Sequence, residues 1–163
     1  MGAASAEFSA EKSSSLRAIF WGGLIAGAMD ITAACISGGL RTGASPVRVF
    51  QSVARGLIGA DSFTGGFKTA ALGLALHFLI ATIWTAVFYL ASRRLEFLVR
   101  QAVIWGALYG VVVYFFMYFV VLPLSAIHAK PSSYPFSSII IGLAIHIFCV
   151  GLPIALVVRR YSK

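Results

Sequence analysis

The sequence predicts an all-α fold: a four-transmembrane-helix bundle built as a tandem repeat of two-helix hairpins, with a short amphipathic interfacial helix in the first loop. Three observations predict it. Hydrophobic residues make up 60% of the chain and charged residues 11%, and the mean hydropathy is +0.91, well beyond the composition of a soluble domain. Four runs, 18–40, 69–92, 101–122 and 136–158, each hold 22 to 24 residues, and Asp30 is the one charge inside them. As helices they extend roughly 33–36 Å at about 1.5 Å per residue, enough for a hydrocarbon core of about 30 Å. A spanning backbone must satisfy its own hydrogen bonds, which selects helices. Finally, the pattern Gly-Leu-Ala-aliphatic-His occurs twice, at Gly73–His77 and Gly142–His146, and these are two of only three His in the chain.

The net charge of +8 sits at the helix ends, which makes it a topology signal and argues against a nucleic-acid partner. Lys12, Arg17, Arg93, Arg94, Arg100, Arg159, Arg160 and Lys163 fall on one side of a four-helix topology. Arg41, Arg48, Arg55, Lys68 and Lys130 fall on the other. Eight against five places both termini in the cytoplasm.

Residues 1–16 are small and polar and read as a disordered cytoplasmic tail; 17–163 form a single integral membrane domain. The apolar run that follows the tail is too long for a signal-peptide core and carries Asp30, so it reads as an uncleaved first helix. Gly22, Ala26 and Asp30 lie at i, i+4 and i+8, on one face, where small residues let another backbone approach. In the first loop, Ser45 suits an N-cap and Pro46 the first helical position of an amphipathic helix over 46–60. Phe50, Val53, Ala54 and Leu57 share its apolar face; Arg48, Gln51, Ser52 and Arg55 form an interfacial basic face suited to anionic lipid. The second helix carries Gly73 and His77, and the short turn 93–100 makes the second and third helices antiparallel neighbours. The third helix is rich in aromatic residues that read as packing and lipid contact, and Pro123 ends it. The fourth carries Gly142, His146 and Cys149, and Pro153 marks a kink. Cys35 and Cys149 differ in depth by roughly 12 Å at the helical rise, too far for a disulfide.

The two halves align beyond the histidines. Trp21-Gly22 matches Trp105-Gly106, and Arg93-Arg94 matches Arg159-Arg160. From Trp21 to His77 is 56 positions and from Trp105 to His146 is 41; the difference of 15 equals the length of 46–60, which reads as an insertion. In this register Gly22, Ala26 and Asp30 correspond to Gly106, Gly110 and Tyr114. Asp30, His77, His146 and Tyr114 then form an intramembrane polar layer, for binding or for packing, with Asp30 and His146 about 20 Å from the cytoplasmic side and His77 a few Å further out at the helical rise. Gly22, Ala26, Gly73, Gly106, Gly110 and Gly142 serve helix packing.

Three functional readings follow. A non-catalytic membrane component, acting in assembly, on a partner or at a lipid surface, needs only the packing motifs and the basic helix, and it is the leading one. A small proton-linked transporter would use the Asp/His layer, and so short a chain implies a homodimer or larger membrane complex. A redox subunit would bind haem b between His77 and His146. The sequence contains no paired carboxylates, no Cys/His metal spacing and no phosphate-binding glycine loop, so no catalytic residue, metal site or other cofactor is assigned.

The segments 27–34 (GAMDITAA), 45–49 (SPVRV), 74–78 (LALHF) and 120–125 (VVLPLS) resemble small four-helix bacterial inner-membrane proteins of the YagU-like sort. The resemblance spans about Trp21 to Arg160. It implies a bacterial inner-membrane location and carries no activity.

Overall fold

The computed structural model describes residues 2–128 and 135–162, with side chains from Ser13 onward. Lys130 and Lys163, counted in the charge asymmetry, lie outside the described residues. The elements in order are α1 (Gly2–Thr42), α2 (Pro46–Ile58), a 3-10 turn (Gly59–Phe63), α3 (Gly66–Ser92) and the short α4 (Phe97–Arg100). They are followed by α5 (Ala102–Leu124) and α6 (Phe136–Tyr161). No strand occurs among the described residues. Four of the helices, α1, α3, α5 and α6, are long and apolar enough to cross a membrane. Most of their outward side chains are apolar, among them Met29, Ile83, Leu90, Val112, Phe119 and Phe148.

Helix α1 begins at Gly2, so it runs through the stretch expected to be a disordered tail. The composition explains this. Ala3, Ala4, Ala6, Glu7, Ala10, Glu11 and Lys12 are strong helix formers, and no Pro or Gly stands between Gly2 and Gly22 to stop an established helix from extending backwards. Ser14 Oγ also donates to Tyr161 O, tying this turn to the end of α6.

Helix α1 is the centre of the bundle: it packs on α3 along one side and on α6 along the other, and α5 packs on α6. The second and third spans, α3 and α5, are therefore not the close neighbours that their short connection predicts. They meet through side chains near that turn, where Tyr109 Oη donates to Trp84 O at 2.6 Å and the Phe88 and Tyr109 rings lie edge-on at 4.9 Å. A short connection fixes the helix ends but leaves the backbones free to diverge beyond it. The densest packing gathers at the end bearing the termini, around Ala18, Phe88, Ala102, Ile154 and Val158.

Small residues set the close approaches. A Cβ on Gly151 would enter the backbone of Gly106 and Gly110, and one on Gly110 would meet the backbone of His146 and Ile147. Gly73 faces the backbone of α2 at Phe50 and Ala54, Gly142 faces the Tyr114 ring, and Gly22 and Gly23 face Thr85 and Thr82. Those two threonines return their hydroxyls to Ala81 O and Phe78 O in their own helix, so no polar group is stranded at the contact. Ala26 is fully buried on the same face of α1.

Gly151→Ala is expected to lower stability by about 1–3 kcal/mol, the usual range for overpacking. Gly39→Ala, whose new Cβ would find its nearest neighbour at 3.7 Å, should not destabilise. Denaturant unfolding in detergent checks the pair, and equal effects would contradict the packing described.

Candidate functional site

Pro123 and Pro153 shape the two helices that wall the site. A proline has no N–H to give the carbonyl four residues back, and its ring presses on that carbonyl. Immediately upstream the helices widen into π turns, Met117–Val121 in α5 and His146–Gly151 in α6. Leu122 N–H reaches Met117 O, and Leu152 N–H reaches Ile147 O. The wider turn accommodates each ring and fits one more residue into the turn. Helix α5 thus continues through Pro123 to Leu124, and the change in pitch lies before the proline.

Asp30, His77, Tyr114 and His146 line one cavity of about 490 Å³. The Asp30 carboxylate lies 3.9 Å from His77 Nε2, with the side chains 18% and 12% exposed. That separation suits an ion pair when the ring is charged and is too long for a hydrogen bond. His77 Nε2 is 2.8 Å from Gly27 O. A carbonyl only accepts, so this nitrogen carries a proton, and in the neutral ring Nδ1 is left as the acceptor. His146 is oriented the other way: Nδ1–H donates to Gly142 O at 2.9 Å within its own helix, and Nε2 remains the acceptor. The Tyr114 ring meets His146 edge-on at 5.2 Å. The rest of the wall is largely apolar, with Leu76, Ile80, Trp84, Val113, Met117 and Val121 prominent in it.

Helix α2 covers the end of this cavity through Ser52, Val53, Gly56 and Leu57. Its start is fixed by Ser45 Oγ accepting from Arg48 N–H, and Gly59, at φ 68°, ends it. Ala126 N–H donates to Gly56 O at 2.9 Å, joining α2 to the segment after α5. Gln51 does not share the exposed face expected of it. It is 5% exposed and donates to Gly66 O and Thr69 Oγ1. The first turn of α3 leaves these acceptors facing α2, and a buried amide satisfies them where a guanidinium would be too large. Arg48, Ser52 and Arg55 are exposed.

A second cavity, of about 630 Å³, lies between α1, α2 and α6 and holds Ser37, Arg41, Arg48 and Ser138. Arg41 donates to Ser138 Oγ at 2.6 Å, and the Arg48 guanidinium stacks 3.7 Å above the Phe63 ring. Asp30, Ser52 and His146 border both cavities. Ser52 donates to Val49 O, so its proton is not directed at an imidazole.

The histidines do not fit a haem pair. His146 leaves Nε2 available, as an axial ligand would, but His77 commits Nε2 to Gly27 O and keeps only Nδ1, which is crowded by its own Cβ. Among the described residues no three His, Cys, Asp or Glu gather as metal ligands, and Cys35 and Cys149 are free thiols. Arg41, Ser138, Trp84 and Tyr118 belong to the site without having been expected there. Tyr118 lies inside the π turn that precedes Pro123, so that proline is its local signal; Arg41, Ser138 and Trp84 are brought in by helix packing and carry none. Comparison with protein-family models, with curated proteins and with solved structures finds no match.

The two cavities should differ towards thiol reagents. In a Cys35→Ala, Cys149→Ala background, Ser37→Cys is expected to react readily with a charged, water-soluble methanethiosulfonate. Ile80→Cys should react at least about tenfold more slowly with that reagent than Ser37→Cys, because the charged group must enter an apolar wall, and should prefer an uncharged one. Equal rates with the charged reagent would contradict the difference in character.

Proposed function

We propose that the protein is a small proton-linked carrier of the bacterial inner membrane, with both termini cytoplasmic and α2 at the opposite surface. The observation that carries this reading is the position of Asp30, beside His77 and on the wall shared by two cavities. A scaffold needs neither cavity nor carboxylate. An intramembrane acid costs about 2.5–3.5 kcal/mol on insertion scales and marks ion and proton pathways. Histidine is the side chain whose ordinary range places its charge change between about pH 5 and 8.

The groups around Asp30 come from every helix packed there. They are His77 on α3, His146 and Cys149 on α6, Tyr114 and Tyr118 on α5, Arg48 on α2 and Arg41 further along α1 itself. Protonation of the Asp30–His77 pair changes the charge at the shared wall, and with it what the wall admits.

The tandem repeat is part of this reading. In one half His77 and Phe78 meet Gly27; in the other the backbone of His146 and Ile147 meets Gly110. In the repeat register Gly110 answers to Ala26, the residue before Gly27. The two histidine-bearing helices thus meet small residues of their partner helices one position apart, a near-repeat of the kind found in carriers that bind at a repeat interface. The gap between α3 and α5 and the exposed face of α2 favour a homodimer or an anionic-lipid contact as its surroundings.

Trp84 lines the cavity and gives a direct readout. In a Trp21→Phe, Trp105→Phe background reconstituted in lipid, Trp84 emission should shift as the pH is lowered from about 8 to about 5, spanning the ordinary histidine range. Asp30→Asn should abolish most of the shift without lowering the unfolding midpoint. An equal shift in Asp30→Asn would return the protein to the scaffold reading.

A further inference from the structure

The two cavities share a wall and differ in chemistry. Arg41 and Arg48 face the second one, and among the described residues neither has a carboxylate within 4 Å. Arg41 spends one donor on Ser138, and Arg48 lies over a ring that uses none of its N–H groups. Guanidinium donors therefore remain for an oxyanion. The first cavity is apolar apart from its polar layer, its wall including Leu76 and Ile80 of α3 and Val113, Met117 and Val121 of α5.

Resting on the carrier reading, we propose that the two cavities form one site for a single-chain anionic amphiphile. Its oxyanion head, a carboxylate or a phosphate, sits between Arg41 and Arg48. Its hydrocarbon chain crosses the wall at Ser52 and fills the apolar cavity towards Trp84. Three physical points select this class. A polar solute would lose its water in the first cavity and find few partners there. A free inorganic anion would leave that cavity unused. The apolar cavity, at about 490 Å³, is many times the share of one water molecule, ~30 Å³, so a hydrocarbon chain has room in it.

Asp30 fixes the orientation. When charged it repels an oxyanion from the shared wall, so the hydrocarbon end enters the apolar cavity and the head stays with the arginines. When Asp30 is protonated that barrier falls, and the head can follow the chain. The class of ligand and the proton dependence thus meet at one carboxylate.

Dansylaminoundecanoate and its methyl ester test this with the protein in phosphatidylcholine nanodiscs, with empty discs as the blank. The acid should bind at least about tenfold more tightly than the ester, the worth of a charge-assisted hydrogen bond. Arg41→Gln with Arg48→Gln should remove that preference, and Ile80→Trp should weaken both probes. The stronger competitor of dodecanoate and dodecyl phosphate identifies the head group. Equal binding of acid and ester by the unmodified protein overturns the proposal without recourse to any variant. So does displacement of the acid by inorganic phosphate alone, which would leave the chain without a role. If the acid fails to bind while Trp84 still responds to pH through Asp30, the amphiphile falls and the carrier stands; if both fail, both fall.

Discussion

A carboxylate held inside an apolar bundle is the constraint around which this structure is arranged. Asp30 sits near the middle of the apolar run 18–40 of α1, a helix that contacts two long neighbours, α3 and α6. Its cost, about 2.5–3.5 kcal/mol on insertion scales, is offset only if the same face of α1 turns inwards. Gly22 and Ala26 keep that face narrow, so α3 closes on it at Thr85 and brings His77 to 3.9 Å from the acid. The Gly27 carbonyl then fixes the ring through Nε2. The acid, the imidazole and the carbonyl that orients it come from two helices, and the glycines make that meeting geometrically available.

The bundle is divided along its length. At the end bearing the termini, Phe88, Ile154 and Val158 are buried to 1% or less and pack as a soluble core would. Towards the other end, two π turns and the divergence of α3 from α5 open the space that α2 covers. The Gly106, Gly110 and Gly151 contact holds α5 to α6 beside the cavities, with Gly110 against the backbone of His146 and Ile147. Helix α2 is packed closely on α3. It is attached through Gly73, Gln51 and the Gly56 carbonyl, and it is bounded by Gly43 and Gly59, both at positive φ.

Much of this was legible in the residues. The four spans follow from run length and hydropathy, because a bilayer leaves a buried backbone few alternatives. Counting along the helices puts Asp30, His77, Tyr114 and His146 in one layer, and all four line one cavity. What sequence reasoning missed depended on rotation and on neighbours. Gln51 follows the period of a polar face, yet its amide is drawn in by acceptors on α3 that only the folded chain presents. Pro123 read as a stop, because proline announces a missing donor without saying whether a helix ends or widens. The serines and charges of the tail suggest disorder, while its alanines are strong helix formers and the helix runs through it from Gly2. The partnership of Arg41 with Ser138 joins residues 97 positions apart, beyond any local pattern.

The claim that ties these features together is that Asp30 works as a proton site for a ligand rather than as a satisfied packing residue. Calorimetric binding of dansylaminoundecanoate in buffers of different ionisation enthalpy measures the protons taken up or released per ligand bound. The account predicts a proton exchange clearly different from zero in the unmodified protein, abolished by Asp30→Asn while binding persists. Binding with no proton exchange, or with the same exchange in Asp30→Asn, would contradict it.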